Sequence, residues 1–315
     1  MNYINYIIKI IKLCLCINIF KFVSFCQIQS YPPSDTINYQ PKPTGVFCMA
    51  KIIKNYEELV TEGYGQGHGR DYKPCKTVQN FSSIGRSHRI QGRVSKRLHH
   101  LFSDLELSTF LLLDWNQNVT DIREHYPLDI YDLNSICSRY RMNKVSVDYI
   151  PFTLSSDFLV DFGKFPIALD TLYSKDLNKA HIIESLEIKR RYWEEEHNTP
   201  FKLITEKDIP ATVLENIKWL YVEKNDLEIT NHMIDQAIYF MEEISQYPQS
   251  TLILFCNHTD QTQKMGIGTT LALFRKLFAL RILQFNLEIS YLELKLSDIH
   301  ASNLLQNENT VHATN

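Results

Sequence analysis

Two apolar segments, 157–161 (Asp-Phe-Leu-Val-Asp) and 166–172 (Pro-Ile-Ala-Leu-Asp-Thr-Leu), are separated by a short linker carrying Gly163 and Lys164. So short a connection allows only a tight turn, which predicts an antiparallel hairpin with an acid near each open end. What surrounds the hairpin narrows the fold further. Over 98–115, Leu101, Leu105, Phe110 and Leu112 recur at helical spacing with no Pro or Gly, which predicts a helix. Residues 119–123 then read as a strand closed before Pro127. Downstream, 178–197 predicts a helix with Ile182, Leu186 and Trp193 on one face, and 201–205 a short strand. Helix, strand, hairpin, helix and strand in that order make an α/β layer with a mixed sheet.

From Ile209 the pattern turns helical, over 211–221, 230–245 and 269–280. The last runs into 281–293, which reads as strand. Helices followed by a two-stranded ribbon predict a winged helix-turn-helix. Segments 49–97 and 129–150 read as irregular, apart from a short helix near 56–61, and the polar stretch 301–315 reads as disordered. With 315 residues, 44% of them hydrophobic, the chain can bury two cores. The expected division is 49–207, 208–296 and a tail 297–315.

Residues 1–48 stand apart. Lys9, Lys12 and Lys21 interrupt the apolar stretch, and no run reaches the ~18 residues that a membrane span needs. The A/T-rich codon character of Ile, Asn, Lys, Tyr and Phe favours translation starting at Met49. No membrane partner is expected. Four of the seven cysteines lie in this leader, and the chain has no Cys-x-x-Cys pair. A structural zinc is therefore not expected, and the remainder reads as a reduced, cytoplasmic chain.

The formal net charge of −3 does not announce a nucleic-acid binder, but local charge does. Residues 86–100 hold Arg86, His88, Arg89, Arg93, Lys96 and Arg97 and no acid, a pattern suited to phosphate contact. Just beyond lies Glu106, within Leu105-Glu106-Leu107 on an apolar stripe. A carboxylate in such surroundings needs a compensating charge, and a metal ion is one source. Asp157 opens the hairpin and Asp170 ends its second strand. Phosphodiester hydrolysis uses one or two Mg²⁺ held by a few carboxylates, with Mn²⁺ as a substitute. An acid followed by a second in the adjacent strand is the arrangement of PD-(D/E)-x-K nucleases. By pattern alone both are more readily strand-end turn acids, and Glu106 shifts the balance. His99 and His100 read as packing or phosphate-facing residues, since Mg²⁺ prefers oxygen.

The chain resembles the TnsA family, the endonuclease subunits of Tn-seven-type heteromeric transposases. The resemblance rests on Gly-Gln-Gly-His-Gly-Arg-Asp-Tyr at 65–72, Gly-Arg-Ser-His-Arg at 85–89 and His-His-Leu-Phe-Ser-Asp-Leu-Glu at 99–106. It continues with Asp-Ile-Arg-Glu at 121–124, Ser-Asp-Phe-Leu-Val-Asp at 156–161, Arg-Arg-Tyr-Trp at 190–193 and Glu-Asn-Ile-Lys-Trp-Leu-Tyr at 215–221. It implies an α/β restriction-endonuclease-like domain followed by a mainly α winged-helix domain. It also implies a bacterial enzyme that cuts the 5′ strand at transposon ends. Partners would be transposon-end DNA, a TnsB-like transposase and a TnsC-like AAA+ ATPase. Glu106 and Asp157 fall on the family's metal-binding acids.

The family continues in the second strand with Gln-x-Lys, and here those positions hold Asp170 and Leu172. Asp170 is a better Mg²⁺ ligand than glutamine. Leucine cannot orient or acidify water, work commonly worth ~10²–10⁴-fold in rate. Lys189 on the following helix is the expected replacement, ahead of Lys164 and Lys175. The alternative is a catalytically impaired subunit that binds DNA and partners and serves assembly.

Overall fold

In a computed structural model of the chain, the described residues are 60–79, 85–142, 154–221 and 228–303. The leader 1–48, nearly all of the short helix expected at 56–61 and the tail from 304 lie outside them. The chain forms two compact units, each drawn from two stretches of sequence. One comprises Met1–Asn80 and Arg123–Asp208, the other Phe81–Ile122 and Ile209–Asn315. One division falls between Asp208 and Ile209, and 81–122, expected within 49–207, groups with the C-terminal residues.

The second unit begins with strands β1 (His88–Gln91) and β2 (Leu98–Leu101), paired antiparallel with Arg89 opposite His100. Helix α1 (Asp104–Trp115) follows. The helix expected from residue 98 therefore starts six residues later. Ser103 stops it there: its backbone is extended and its side chain accepts from Glu106 N–H, an N-cap that defines the first turn.

Strand β3 (Asp121–Pro127) carries the chain into the first unit. Helix α2 (Ile130–Tyr140) follows where irregular chain was expected. Its signals were Asp129, which caps Tyr131 and Asp132 N–H, and the buried stripe Leu133, Ile136 and Cys137. The hairpin forms as expected, from β4 (Ser155–Phe162) and β5 (Phe165–Thr171). Gly163 turns it at φ 66°, a left-handed backbone that favours glycine. Helix α3 (Ala180–Arg191) ends in a π turn over Tyr192–Glu196 and leads to β6 (Phe201–Ile204), parallel to β5. The sheet order is β3-β4-β5-β6, mixed as the sequence pattern requires. Leu159, Ala168 and Phe201 from the strands pack with Ile188, Tyr192 and Trp193 from the helical side and Leu133, Ile136 and Cys137 of α2. The indole N–H of buried Trp193 is satisfied by Ser156 Oγ at 2.8 Å.

The second unit resumes with α4 (Ala211–Leu220), α5 (Asn231–Ser245), α6 (Leu252–Thr262) and α7 (Thr269–Ala279). Helix α6 was not expected. Helix α7 ends as predicted, but 281–293 does not form a long strand. Only β7 (Leu283–Gln284) pairs, with β8 (His300–Ala301). The chain reverses at Arg281, where φ is 59° and Ile282 N–H returns to Leu277 O, closing the helix. Phe240, Phe274, Leu277 and Phe278 fill the core of this unit. Among the described residues no helix is long and apolar enough to cross a membrane.

Candidate active site

The register of β4 and β5 pairs Phe158 with Leu169. One residue further along, Asp157 and Asp170 lie opposite each other. Asp157 N–H donates to Asp170 Oδ1 at 3.2 Å. Two carboxylates facing each other across adjacent strands repel, so the arrangement persists only with a cation to hold them. An ammonium answers Asp170 directly. Lys189, on α3, donates to Asp170 Oδ2, and both side chains are largely buried. Burial pushes the Asp170 carboxyl up, the Lys189 charge pulls it back, and Asp157 adds to the rise. Burial presses Lys189 down, but the charges of Asp170 and Asp157 outweigh it and hold the ammonium above its ordinary range.

Asp157 is half-buried and differently employed. Its Oδ2 accepts from both Thr171 N–H and Thr171 Oγ1, each at 2.7 Å. Its Oδ1 receives no hydrogen bond from a described residue. A fixed carboxylate with one open oxygen, beside a second carboxylate, is a donor set that suits a hard divalent cation such as Mg²⁺. These residues fit the metal that the sequence predicts.

Of the lysines considered from sequence, only Lys189 reaches Asp170. Lys164 is exposed in the turn, and Lys175 lies over the Tyr173 ring. A further lysine, which no periodic sequence pattern marks, lies close by. Lys76 donates from Nζ to Ser155 Oγ at 2.8 Å, and Lys189, Asp157 and Asp170 all act on its charge. Burial presses its ammonium below the ordinary lysine range, and the two aspartates oppose this. Only the run Lys73-Pro74-Cys75-Lys76 marks it in the sequence, and that run has no periodicity to place it.

Glu106 belongs to the other unit. It is buried, as its position on the stripe implied, but its neighbours explain the burial. Phe102 N–H donates to Oε2 at 2.8 Å and the Ser103 hydroxyl lies 3.5 Å from Oε1. With Glu106 N–H on Ser103 Oγ at 2.9 Å, this resembles a capping box at the start of α1, the glutamate reaching the N–H of the residue before the cap. The helix N-terminus supplies compensating charge, so burial alone does not require an ion here.

The six basic-segment residues divide sharply. Arg86, Arg89 and Lys96 are exposed. His88 meets Asp104 at 2.8 Å. Arg93 and Arg97 turn inward. Arg93 donates to Ala279 O at 2.7 Å and lies over the Trp115 ring, and Arg97 donates to Ile122 O at 2.9 Å. Both hold carbonyls within their own unit. His99 is fully buried, against Ser95 Oγ at 2.6 Å and the Phe110 ring. Gly92 is required beside it, because a Cβ would come within 2.7 Å of His99 Nε2.

Comparison with known proteins identifies the family. The family model described as TnsA endonuclease C terminal matches residues 208–287, beginning one residue before the second unit resumes. Over 275 residues the chain is 34% identical to the transposon Tn7 transposition protein TnsA of Escherichia coli. That alignment covers 85% of this chain and 100% of the relative. With its α/β sheet, its paired acids and this identity across a relative's full length, the chain belongs to the TnsA family.

Proposed function

We propose that the protein is the endonuclease subunit of a heteromeric DNA transposase, hydrolysing the 5′ strand at transposon ends with Mg²⁺. The observation that carries this reading is the cross-strand pair Asp157–Asp170 with the Lys189 ammonium bound to it. Asp157 offers its open oxygen to the ion, and Asp170 assists. Glu106 is proposed as a further ligand on the family resemblance. When bound, Mg²⁺ polarises the scissile phosphate and lowers the pKa of its water. Lys189 opposes the burial-driven rise of the Asp170 pKa, orients its carboxyl and takes the place of the lysine missing at Leu172. Arg86, Arg89 and Lys96 contact DNA phosphates, with His88, held by Asp104, next to Arg89 on β1. The partners are a TnsB-like transposase for the other strand and a TnsC-like ATPase, the latter met by a C-terminal region of winged-helix type.

The test is 5′ nicking of transposon-end DNA with the partner transposase and Mg²⁺. Asp157→Asn should abolish it, and Lys189→Ala should slow it by ~10²–10⁴-fold. A second reading, a non-cutting assembly subunit, is favoured by Leu172 and by the full engagement of Lys189 with Asp170. Wild-type protein that supports strand transfer yet never nicks, in Mg²⁺ or Mn²⁺, would establish that reading and overturn the first.

A further inference from the structure

Lys189 restrains a carboxylate and leaves unanswered what faces the phosphate. We propose that Lys76 is a second catalytic lysine of this site, its ammonium donating to a non-bridging oxygen of the scissile phosphate. The inference rests on the metal-site reading of Asp157 and Asp170 above.

Three observations support it. Ser155 and Asp157 are two apart on β4, so their side chains share one face of the sheet. Lys76 reaches that face through its 2.8 Å bond to Ser155 Oγ. Second, the segment carrying Lys76 is fixed along β3, the strand beside β4. Tyr72 OH donates to Glu124 O at 3.0 Å and Cys75 Sγ to His125 O at 2.7 Å. The thiol makes that contact as a buried, protonated group, pushed up to about 12 by burial. Third, the charges of Asp157, Asp170 and Lys189 all bear on Lys76. Two carboxylates and two ammoniums sum to zero, so an ion on the carboxylates leaves a positive field for an anionic substrate.

In the reaction, a water oxygen bonds to phosphorus and one phosphorus–oxygen ester bond breaks. One water proton ends on the departing deoxyribose oxygen and the other passes to solvent. Lys76 keeps its proton throughout and stabilises the charge that builds on the phosphoryl oxygens.

The experiment compares full-length Lys76→Ala, Lys76→Met and Lys76→Arg with wild type in two assays. These are nicking of transposon-end DNA with the partner transposase, and calorimetric titration with Mn²⁺ alone. We expect nicking to fall at least ~10²-fold in the Ala and Met variants and to recover partly with Arg. Mn²⁺ should bind these two variants several-fold more tightly, because a neighbouring cation is gone. A merely structural lysine would weaken both readouts together, and that result overturns the proposal, as does wild-type nicking by Lys76→Met. Asp157→Asn is the control: unchanged Mn²⁺ binding and nicking in that variant would sink the metal-site reading itself.

Discussion

At the scale of single residues, Glu106 and Asp157 are acids held in contrasting ways. Glu106 is engaged by Phe102 N–H and Ser103, while among the described residues Asp157 takes hydrogen bonds on Oδ2 alone, from Thr171. Substituting Glu106 therefore changes stability as well as any ion binding. Glu106→Ala should lower unfolding stability by about 1 kcal/mol, the usual worth of a cap, with Glu106→Gln costing less. Urea unfolding measures this apart from nicking. Equal, undiminished stability in both variants would remove the capping role. Glu106 could be singled out from sequence because a charge on an apolar stripe is conspicuous. Its capping partners were also legible, as Ser-x-x-Glu at 103–106, but the helix was expected to begin at 98, which hid the motif. Lys76 was not legible, because nothing local records which strand an irregular segment lies along.

At the scale of elements, the β1–β2 hairpin joins a structural and a binding role. Lys96 is exposed at φ 56°, a left-handed backbone that costs a side-chain-bearing residue about 1 kcal/mol. Lys96→Gly should therefore raise stability by about that amount while weakening DNA binding. The salt dependence of binding should lose about one phosphate's worth of slope. A variant that is both more stable and unchanged in its salt slope would place Lys96 off the DNA.

Helix α7 starts without a cap of its own. Asp260 on α6 replaces it, accepting from Gly268 N–H, Thr270 N–H and the Thr270 hydroxyl at 2.7, 2.9 and 2.6 Å. The Thr270 hydroxyl is the main cause holding the Asp260 carboxyl below its ordinary range, with burial opposing. A depressed carboxyl stabilises the fold above its unfolded pKa, and that contribution is lost as pH falls through the folded value. In Asp260→Asn, the melting temperature should fall less steeply from about pH 5 to about pH 2 than in wild type. An identical acid limb would show that Asp260 is not a linked group.

For the whole molecule, the two units interleave in sequence, so the C-terminal helices are not self-sufficient. Tyr221 OH donates to Asp114 Oδ2 at 2.8 Å, and Arg281 donates to Trp115 O, both on α1. A fragment of residues 208–315 lacks α1 and should melt at lower temperature and less cooperatively than the same unit in the full chain. Limited proteolysis and calorimetry measure this. A fragment as stable as the intact unit would show that 81–122 adds nothing to it.

Periodicity and turn chemistry in the sequence determined the α/β order, the 157–171 hairpin and the helices α3, α4, α5 and α7. These signals are local, and the residues that carry them are close together in the chain. Only the tertiary structure decided that Asp157 faces Asp170, that Lys189 and Lys76 come to them, and that Arg93 and Arg97 hold carbonyls. Each of those outcomes depends on strand register and on contacts between distant segments, where backbone groups and buried charges must find partners that no short window of sequence contains.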